Sequence, residues 1–434
     1  MLAKPSKRTI VAIWAGWVVI MLGYQIWLPA RYTVQPPDYA LEWTATETRP
    51  GSQAGKIYLN EPFLNRHVAW DSEYYLAIAI GGYEDPNINR VGESVVSTGG
   101  GFWPFVVPGN VSARPGISLS YAFFPFYPLL IRVLSVPLSI LGMNVIATAT
   151  LAGVIISMGG TLAAMLALFE LARTELGEEG GMRAAFYLLV FPSGFFLAQI
   201  YTEGLFVGLA FTSLLMLRRG RVPWAVLFAI LATFTRAVGV VLVVPILISW
   251  VREGEWLELD LGWRQLYFHG LPWKAMGHAL LVLAPVLAFM LWRVSYYGLA
   301  FSRVEEEFFG RGFLSLGYTF VAWSEAFRSL WGSNLNAAAY YAVEFSAIIL
   351  AFTACIAGLR RHPDLAIFGL LVVFLSFTSG PAQGMHRYVL GAPPVFLFLS
   401  RLGEKPAFDR IWTIASVLVM GIMATMYMFD MWAG

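Results

Sequence analysis

Apolar residues fall in long blocks along this chain, and polar residues are confined to the stretches between them. The blocks cover 10–30, 144–172, 184–200, 203–217, 222–234, 238–251, 277–297, 338–359, 365–379, 389–400 and 411–431. Each reads as a membrane-spanning helix, which predicts about eleven crossings. Several blocks hold only about 12–17 residues, fewer than the ~20 an untilted crossing needs, so a bundle with a cavity cut into it is expected. Lys4, Lys7 and Arg8 precede the first block as in a signal peptide, but no small-x-small cleavage site ends it. It reads as an uncleaved first helix.

Composition agrees with that pattern. The chain is 58% hydrophobic and only 13% charged, as in an all-α polytopic membrane protein. A net charge of +2, with no basic tract among aromatics, excludes a nucleic-acid partner. The single Cys355 rules out a disulfide framework and a thiolate metal site. Five scattered histidines show no metal-binding spacing, so only carboxylates could hold an ion, and no cofactor or metal is expected.

Charge also orients the chain. With the N-terminus in the cytoplasm, the inner connections hold Arg173 and Arg183; Arg218, Arg219 and Arg221; Arg252, Arg264 and Lys274; Arg360 and Arg361; and Arg401, Lys405 and Arg410. Nearly every short inner loop is then basic. The outer side receives a long first loop, 31–143, a second segment, 298–336, and short turns at 201–203, at Arg236 and at 384–387. Two helices are expected to lie on the outer surface: 72–80, closed by Gly81-Gly82, and the stretch from Phe123 to Leu141. Prolines in the first turns of that stretch, and Arg132, argue against a crossing. No internal repeat interrupts what reads as one membrane domain over 1–434.

One polar cluster stands out from this background: Trp70-Asp71-Ser72-Glu73-Tyr74-Tyr75, on the outer side. Asp71 could be a catalytic carboxylate or simply the N-cap of the 72–80 helix. Continued through Leu76-Ala77-Ile78-Ala79 to Gly82-Tyr83, the segment resembles the W-D-x-x-(Y/H)-(F/Y)-L-x-I-A…G-Y motif of PIG-V-type mannosyltransferases. Ala122-Phe123-Phe124-Pro125 with Pro128-Leu129 is similar to that family's A-F-F-P-x-x-P-L. Phe191-Pro192-Ser193 followed by Tyr201-Thr202-Glu203-Gly204-Leu205-Phe206 resembles its P-x…Y-T-E-S-L-F. Thr235-Arg236-Ala237-Val238-Gly239 is similar to T-R-x-x-G, and Arg387-Tyr388 with Pro393 to a late R-Y…P. The matches run in order from about residue 70 to 395.

The resemblance implies a GT-C type fold and transfer of mannose, or a related hexose, from a polyprenyl-phosphate donor. The acceptor would be lipid- or glycan-linked, with the active site on the extracytoplasmic face of the plasma (cell inner) membrane. It also implies an acidic residue in the first outer loop that activates the acceptor hydroxyl, the position held here by Asp71. A transporter or flippase of lipid-linked sugars is the competing reading, although such proteins usually show paired halves.

The remaining candidates each have a plainer alternative. Arg236 and Arg387 could bind the donor phosphate, guanidinium forks being suited to phosphate oxygens. Arg236 could instead pair with Glu203, and Arg387 could merely anchor at the interface. Glu73, Tyr201, Glu203 and His386 are candidates for substrate contact, with helix capping or orientation as the alternatives. Trp103, in the first outer loop, could cover an acceptor or anchor in the membrane surface. The acidic run Glu305-Glu306-Glu307, with Arg303 and Arg311, reads as a solvated or interfacial helix in the second outer segment.

Overall fold

The computed structural model describes residues 7–34, 36–91, 116–253, 257–260, 265–268 and 273–434; Trp103 lies outside the described residues. In chain order the helices are α1 (Lys7–Arg31), α2 (Thr44–Glu47), α3 (Ser72–Ile80), α4 (Phe126–Leu138), α5 (Val145–Val190), α6 (Glu203–Arg218), α7 (Val222–Thr233) and α8 (Val243–Glu253). Then come α9 (Trp273–Val294), α10 (Tyr296–Glu307), α11 (Leu316–Ser329), α12 (Leu335–Gly358), α13 (Pro363–Phe377), α14 (Met385–Tyr388), α15 (Pro393–Leu402) and α16 (Pro406–Met428). Two small antiparallel pairs complete the fold: β1 (Arg90–Val91) with β2 (Ile117–Ser118), and β3 (Leu257–Asp260) with β4 (Gln265–Phe268).

Among the described residues, α1, α5, α12 and α16 are long and apolar enough to cross a membrane. α9 and α10 make a fifth crossing if the two, bent by 79° at their junction, count as one. Short apolar helices such as α7, α13 and α15 fill the rest of the bundle. Helix length alone therefore supports four or five full crossings, and the count of eleven depends on the short helices also spanning.

The blocks 144–172 and 184–200 form the two arms of α5, separate helices parted at Gly177, whose backbone is non-helical (φ 69°, ψ −177°). A side chain at that φ would be strained, so glycine permits the turn between the two halves. The second half ends at Val190, ten residues short of the apolar block. Pro192 explains this, because it donates no N–H and pushes the preceding residue out of the helical region; Phe191 is extended (φ −56°, ψ 146°). A short 3-10 turn, Gly194–Ala198, then carries the chain to α6. α6 lies directly on α5: a Cβ on Gly204 would stand 2.3 Å from the Ser157 carbonyl oxygen. This close backbone approach fixes the depth of Glu203, the first residue of α6.

α3 spans the residues expected, but most of its side chains are buried against α4 and α5 instead of lying at an interface. Arg132 of α4 closes its C-terminal end, donating from Nε to the Ala79 carbonyl (2.7 Å) and from an Nη to that of Ile80 (3.2 Å). A cation there suits the helix dipole and satisfies carbonyls left open at the helix end. α4 itself keeps an exposed apolar stripe, Leu129, Val133 and Val136, opposite buried Tyr127 and Ile131, as a helix lying on a membrane surface should.

The two ends of the bundle differ. Near Gly177, Glu170 meets Lys7, Arg173 and Arg219, and Glu175 meets Arg361, His362 and Arg401. Arg218 forms a two-pronged pair with Asp364 there, both contacts at 2.8 Å. Lys7 and, from the loops counted as inner in the sequence, Arg173, Arg218, Arg219, Arg361 and Arg401 thus gather at one end. Asp71 lies at the other.

Candidate functional site

Asp71 stands at the N-cap position of α3, yet its own backbone is helical (φ −59°, ψ −21°) and its side chain makes no capping hydrogen bond. The capping alternative is not realised, and the carboxylate is free to face the protein interior. The backbone just before it is unusual: Trp70 has φ 54°, a left-handed conformation rare for a bulky residue. Edge-to-face packing against Trp43 (5.8 Å between centroids) and Trp432 (5.2 Å) holds that indole. Tyr201 secures the turn from the other side, its hydroxyl accepting the Asp71 N–H (3.2 Å) and donating to the Ala69 carbonyl (3.3 Å).

Four sequence-derived candidates meet here. The Arg387 guanidinium lies 3.6 Å from the Asp71 carboxylate and 3.9 Å from that of Glu203. Arg236 donates to Glu203 at 2.7 Å. Glu203 is 2% exposed, Arg387 7% and Arg236 14%, so this is a buried charge cluster, where interactions are strong and unpaired groups costly. Aromatic faces complete it. The Arg387 guanidinium sits 5.0 Å and 5.1 Å from the Phe196 and Tyr201 centroids, and that of Arg236 4.6 Å from Tyr388. The Asp71 side chain keeps 28% of its surface exposed, the one carboxylate of the cluster open to a reactant. Desolvation raises its pKa above the ordinary carboxylate range, and the Arg387 guanidinium opposes that push.

The turn that carries Arg387 is held from within. Glu344 of α12, fully buried, accepts the backbone N–H groups of Gly384 (2.6 Å) and His386 (2.9 Å) and the Tyr340 hydroxyl (2.6 Å). His386 is buried too, with Nε2 2.8 Å from the Ala433 carbonyl and Nδ1 3.6 Å from Glu344. Its ring belongs to the scaffold of the turn, away from Asp71. Glu73 also faces elsewhere. It is buried on α3 without an ion pair among the described residues, and desolvation pushes its carboxyl up to about 7, partly offset by Lys56.

Sequence reading missed three residues. Glu344 carried a signal, being a lone carboxylate inside an apolar block. Arg311 and Glu305 read only as part of a solvated or interfacial helix in the second outer segment, yet the fold returns both to the cluster. Desolvation pushes Glu305 up to about 7, with Arg311, Asp71 and Arg236 all in electrostatic reach. The Arg311 guanidinium lies 5.6 Å from the Tyr388 centroid. Of the three glutamates in 305–307, Glu305 is half-buried, while Glu306 and Glu307 are exposed.

A cleft of about 220 Å³ opens among Glu203, Arg236, Arg387, Tyr388 and Phe206. A slightly larger one, about 290 Å³, lies at the opposite end among Leu365, Leu397, Phe398, His362 and Arg401. Both polar groups of that second cleft are already engaged with Glu175, so the first has the better chemistry. Its guanidiniums can hold an anion beside a carboxylate able to accept a proton.

Comparison with known proteins agrees with this picture in part. The family model for mannosyltransferase (PIG-V) matches residues 114–321. The matched stretch includes the segments around Pro125, Glu203 and Arg236; Asp71 precedes it and Arg387 follows it. No curated protein matches the chain by sequence. Among solved structures, ArnT from Cupriavidus metallidurans bound to undecaprenyl phosphate is 14% identical, with 93% of this chain and 63% of that chain covered and a TM-score of 0.45. The archaeal oligosaccharyltransferase AglB from Archaeoglobus fulgidus, in complex with an inhibitory peptide and a dolichol-phosphate, is 12% identical, with 97% and 55% covered and a TM-score of 0.41. The chain thus spans little more than half the length of these proteins.

Proposed function

We propose that this chain is a GT-C type membrane glycosyltransferase that moves mannose, or a related hexose, from a polyprenyl-phosphate carrier to a lipid- or glycan-linked acceptor. The reaction would take place on the extracytoplasmic face of the plasma membrane. One observation carries the reading: an uncapped, partly open Asp71 carboxylate beside a buried cluster of guanidiniums. The mannosyltransferase (PIG-V) match over 114–321 supports the reaction class.

In this reading Asp71 takes the proton of the acceptor hydroxyl as its oxygen bonds to the anomeric carbon. The bond from that carbon to the phosphate oxygen breaks, and the lipid phosphate leaves with the electron pair. No acid is needed, because the leaving group departs as an anion. Arg387, poised between Asp71 and Glu203, favours the charged form of Asp71, while Glu203 holds Arg387 and Arg236 in place. Tyr201 orients Asp71 through the backbone on either side of Trp70.

The test uses purified protein in lipid nanodiscs with polyprenyl-phosphate mannose and an acceptor. Asp71→Asn keeps the side-chain size and removes the proton acceptor. Transfer should fall by at least ~100-fold, the lower end of what general base catalysis contributes, with the melting temperature little changed. Wild-type transfer should rise with pH through a pKa above the ordinary aspartate range. Near-normal transfer by Asp71→Asn would move the base elsewhere, Glu305 first. Movement of the lipid-linked sugar across the bilayer with no new glycosidic bond would make the chain a carrier.

A further inference from the structure

Three guanidiniums surround the Tyr388 and Tyr201 rings at the Asp71 end, and two are tied to carboxylates. Arg236 is bound to Glu203, and Arg387 lies between Glu203 and Asp71. Arg311 makes no ion pair among the described residues. Its side-chain hydrogen bonds are long and neutral, 3.3 Å to the Ser379 hydroxyl and 3.4 Å to the Gln383 carbonyl. Several N–H donors of its fork are therefore uncommitted.

Arg311 is nonetheless held firmly in place. Its backbone N–H donates to the Glu305 carbonyl at 2.8 Å. The residues that follow are pinned to the end of α13, Gly312 N–H to the Ser379 carbonyl and Ser315 N–H to that of Thr378, both at 2.8 Å. The guanidinium shares the Tyr388 ring with Arg236, at 5.6 Å against 4.6 Å. A cation so fixed, without a carboxylate at ion-pair distance among the described residues, is prepared for an anion that arrives from outside the chain.

Resting on the glycosyltransferase reading, we propose that Arg311, with the Tyr388 ring beside it, forms the site that takes the phosphate of the lipid-linked donor. Arg236 and Arg387 then serve chiefly to hold Glu203 and Asp71. Charge bookkeeping agrees. Arg236, Arg311 and Arg387 set against Asp71 and Glu203 leave one positive charge, and a phosphodiester carries one negative charge. Glu305, close by, is shifted toward its neutral form by an incoming anion and so does not compete with it.

The test measures binding of undecaprenyl phosphate to the full chain in nanodiscs, with undecaprenol as the uncharged probe and inorganic phosphate as the headgroup alone. Loss of a charge-assisted contact weakens binding about ten- to a hundredfold. Arg311→Gln should show that loss for undecaprenyl phosphate and none for undecaprenol, and Arg311→Lys should recover part of it. Arg311→Gln binding as tightly as a wild type that prefers undecaprenyl phosphate over undecaprenol would overturn this inference alone. A wild type with no such preference would overturn it together with the lipid-phosphate donor. Inorganic phosphate displacing undecaprenyl phosphate at equal concentration would assign the site to free phosphate instead. Should Arg311→Gln fail to fold, Arg311→Met takes its place, and an unchanged preference of that variant for undecaprenyl phosphate over undecaprenol would overturn the proposal.

Discussion

At the Gly177 end, Glu170 gathers Lys7 at 3.3 Å, Arg173 at 3.0 Å and Arg219 at 2.9 Å, and these cations are 39–63% exposed. At the Asp71 end, Glu203 gathers Arg236 and Arg387 with almost no exposure on any partner. The motif is the same, one carboxylate and several cations, but its physics differs. Exposed pairs are screened and contribute little. Buried charges strengthen one another and are costly to leave single. The first arrangement suits a membrane-surface anchor, and the second suits a site that keeps charge ready for a charged substrate.

The largest expected effect tests that difference directly. Glu203→Gln would leave two buried guanidiniums short of their shared carboxylate, at a cost of about 3–5 kcal/mol. A large fall in melting temperature should follow, and an unchanged melting temperature would mean that the cluster is more hydrated than its burial implies. At the other end, Arg219→Gln leaves Lys7 and Arg173 on Glu170. It should change stability by less than about 1 kcal/mol, and the small difference should shrink further in high salt. A comparable loss from both variants would erase the contrast.

Between these lies a pH effect. Glu73 is held near 7 in the fold against 4.5 for a free glutamate. Its native state therefore holds the proton more tightly than the unfolded chain does. Stability falls as pH rises from about 4.5 through about 7 and levels off above. Glu73→Gln removes this proton linkage, so melting curves of variant and wild type should diverge in the variant's favour between pH 5 and pH 8. Parallel curves would show that Glu73 is not desolvated.

Much of this was readable beforehand. α3 covers the residues predicted, because Trp70-Asp71 precedes an apolar stretch and Gly81-Gly82 closes it. Arg173, Arg218, Arg219, Arg361 and Arg401, counted as inner, do collect at one end. Arg236 was expected at either a phosphate or Glu203, and it lies on Glu203. One error is as instructive. The second outer segment reads as solvent-facing, yet α10 bends back and brings Glu305 and Arg311 to Asp71.

The sequence by itself determined a helical membrane protein, the separation of several basic loop residues from the Asp71 cluster, and four neighbours of that aspartate, Tyr201, Glu203, Arg236 and Arg387. Those properties follow from hydropathy, charge and short-range backbone preference, each written in a few neighbouring residues. Only the tertiary structure decided that Asp71 is uncapped, that Glu344 holds the Arg387 turn, and that Arg311 makes no ion pair among the described residues. Each of these depends on which residue, distant along the chain, arrives within hydrogen-bonding distance. Desolvation then sets the strength of the contact, and neither quantity is local in sequence.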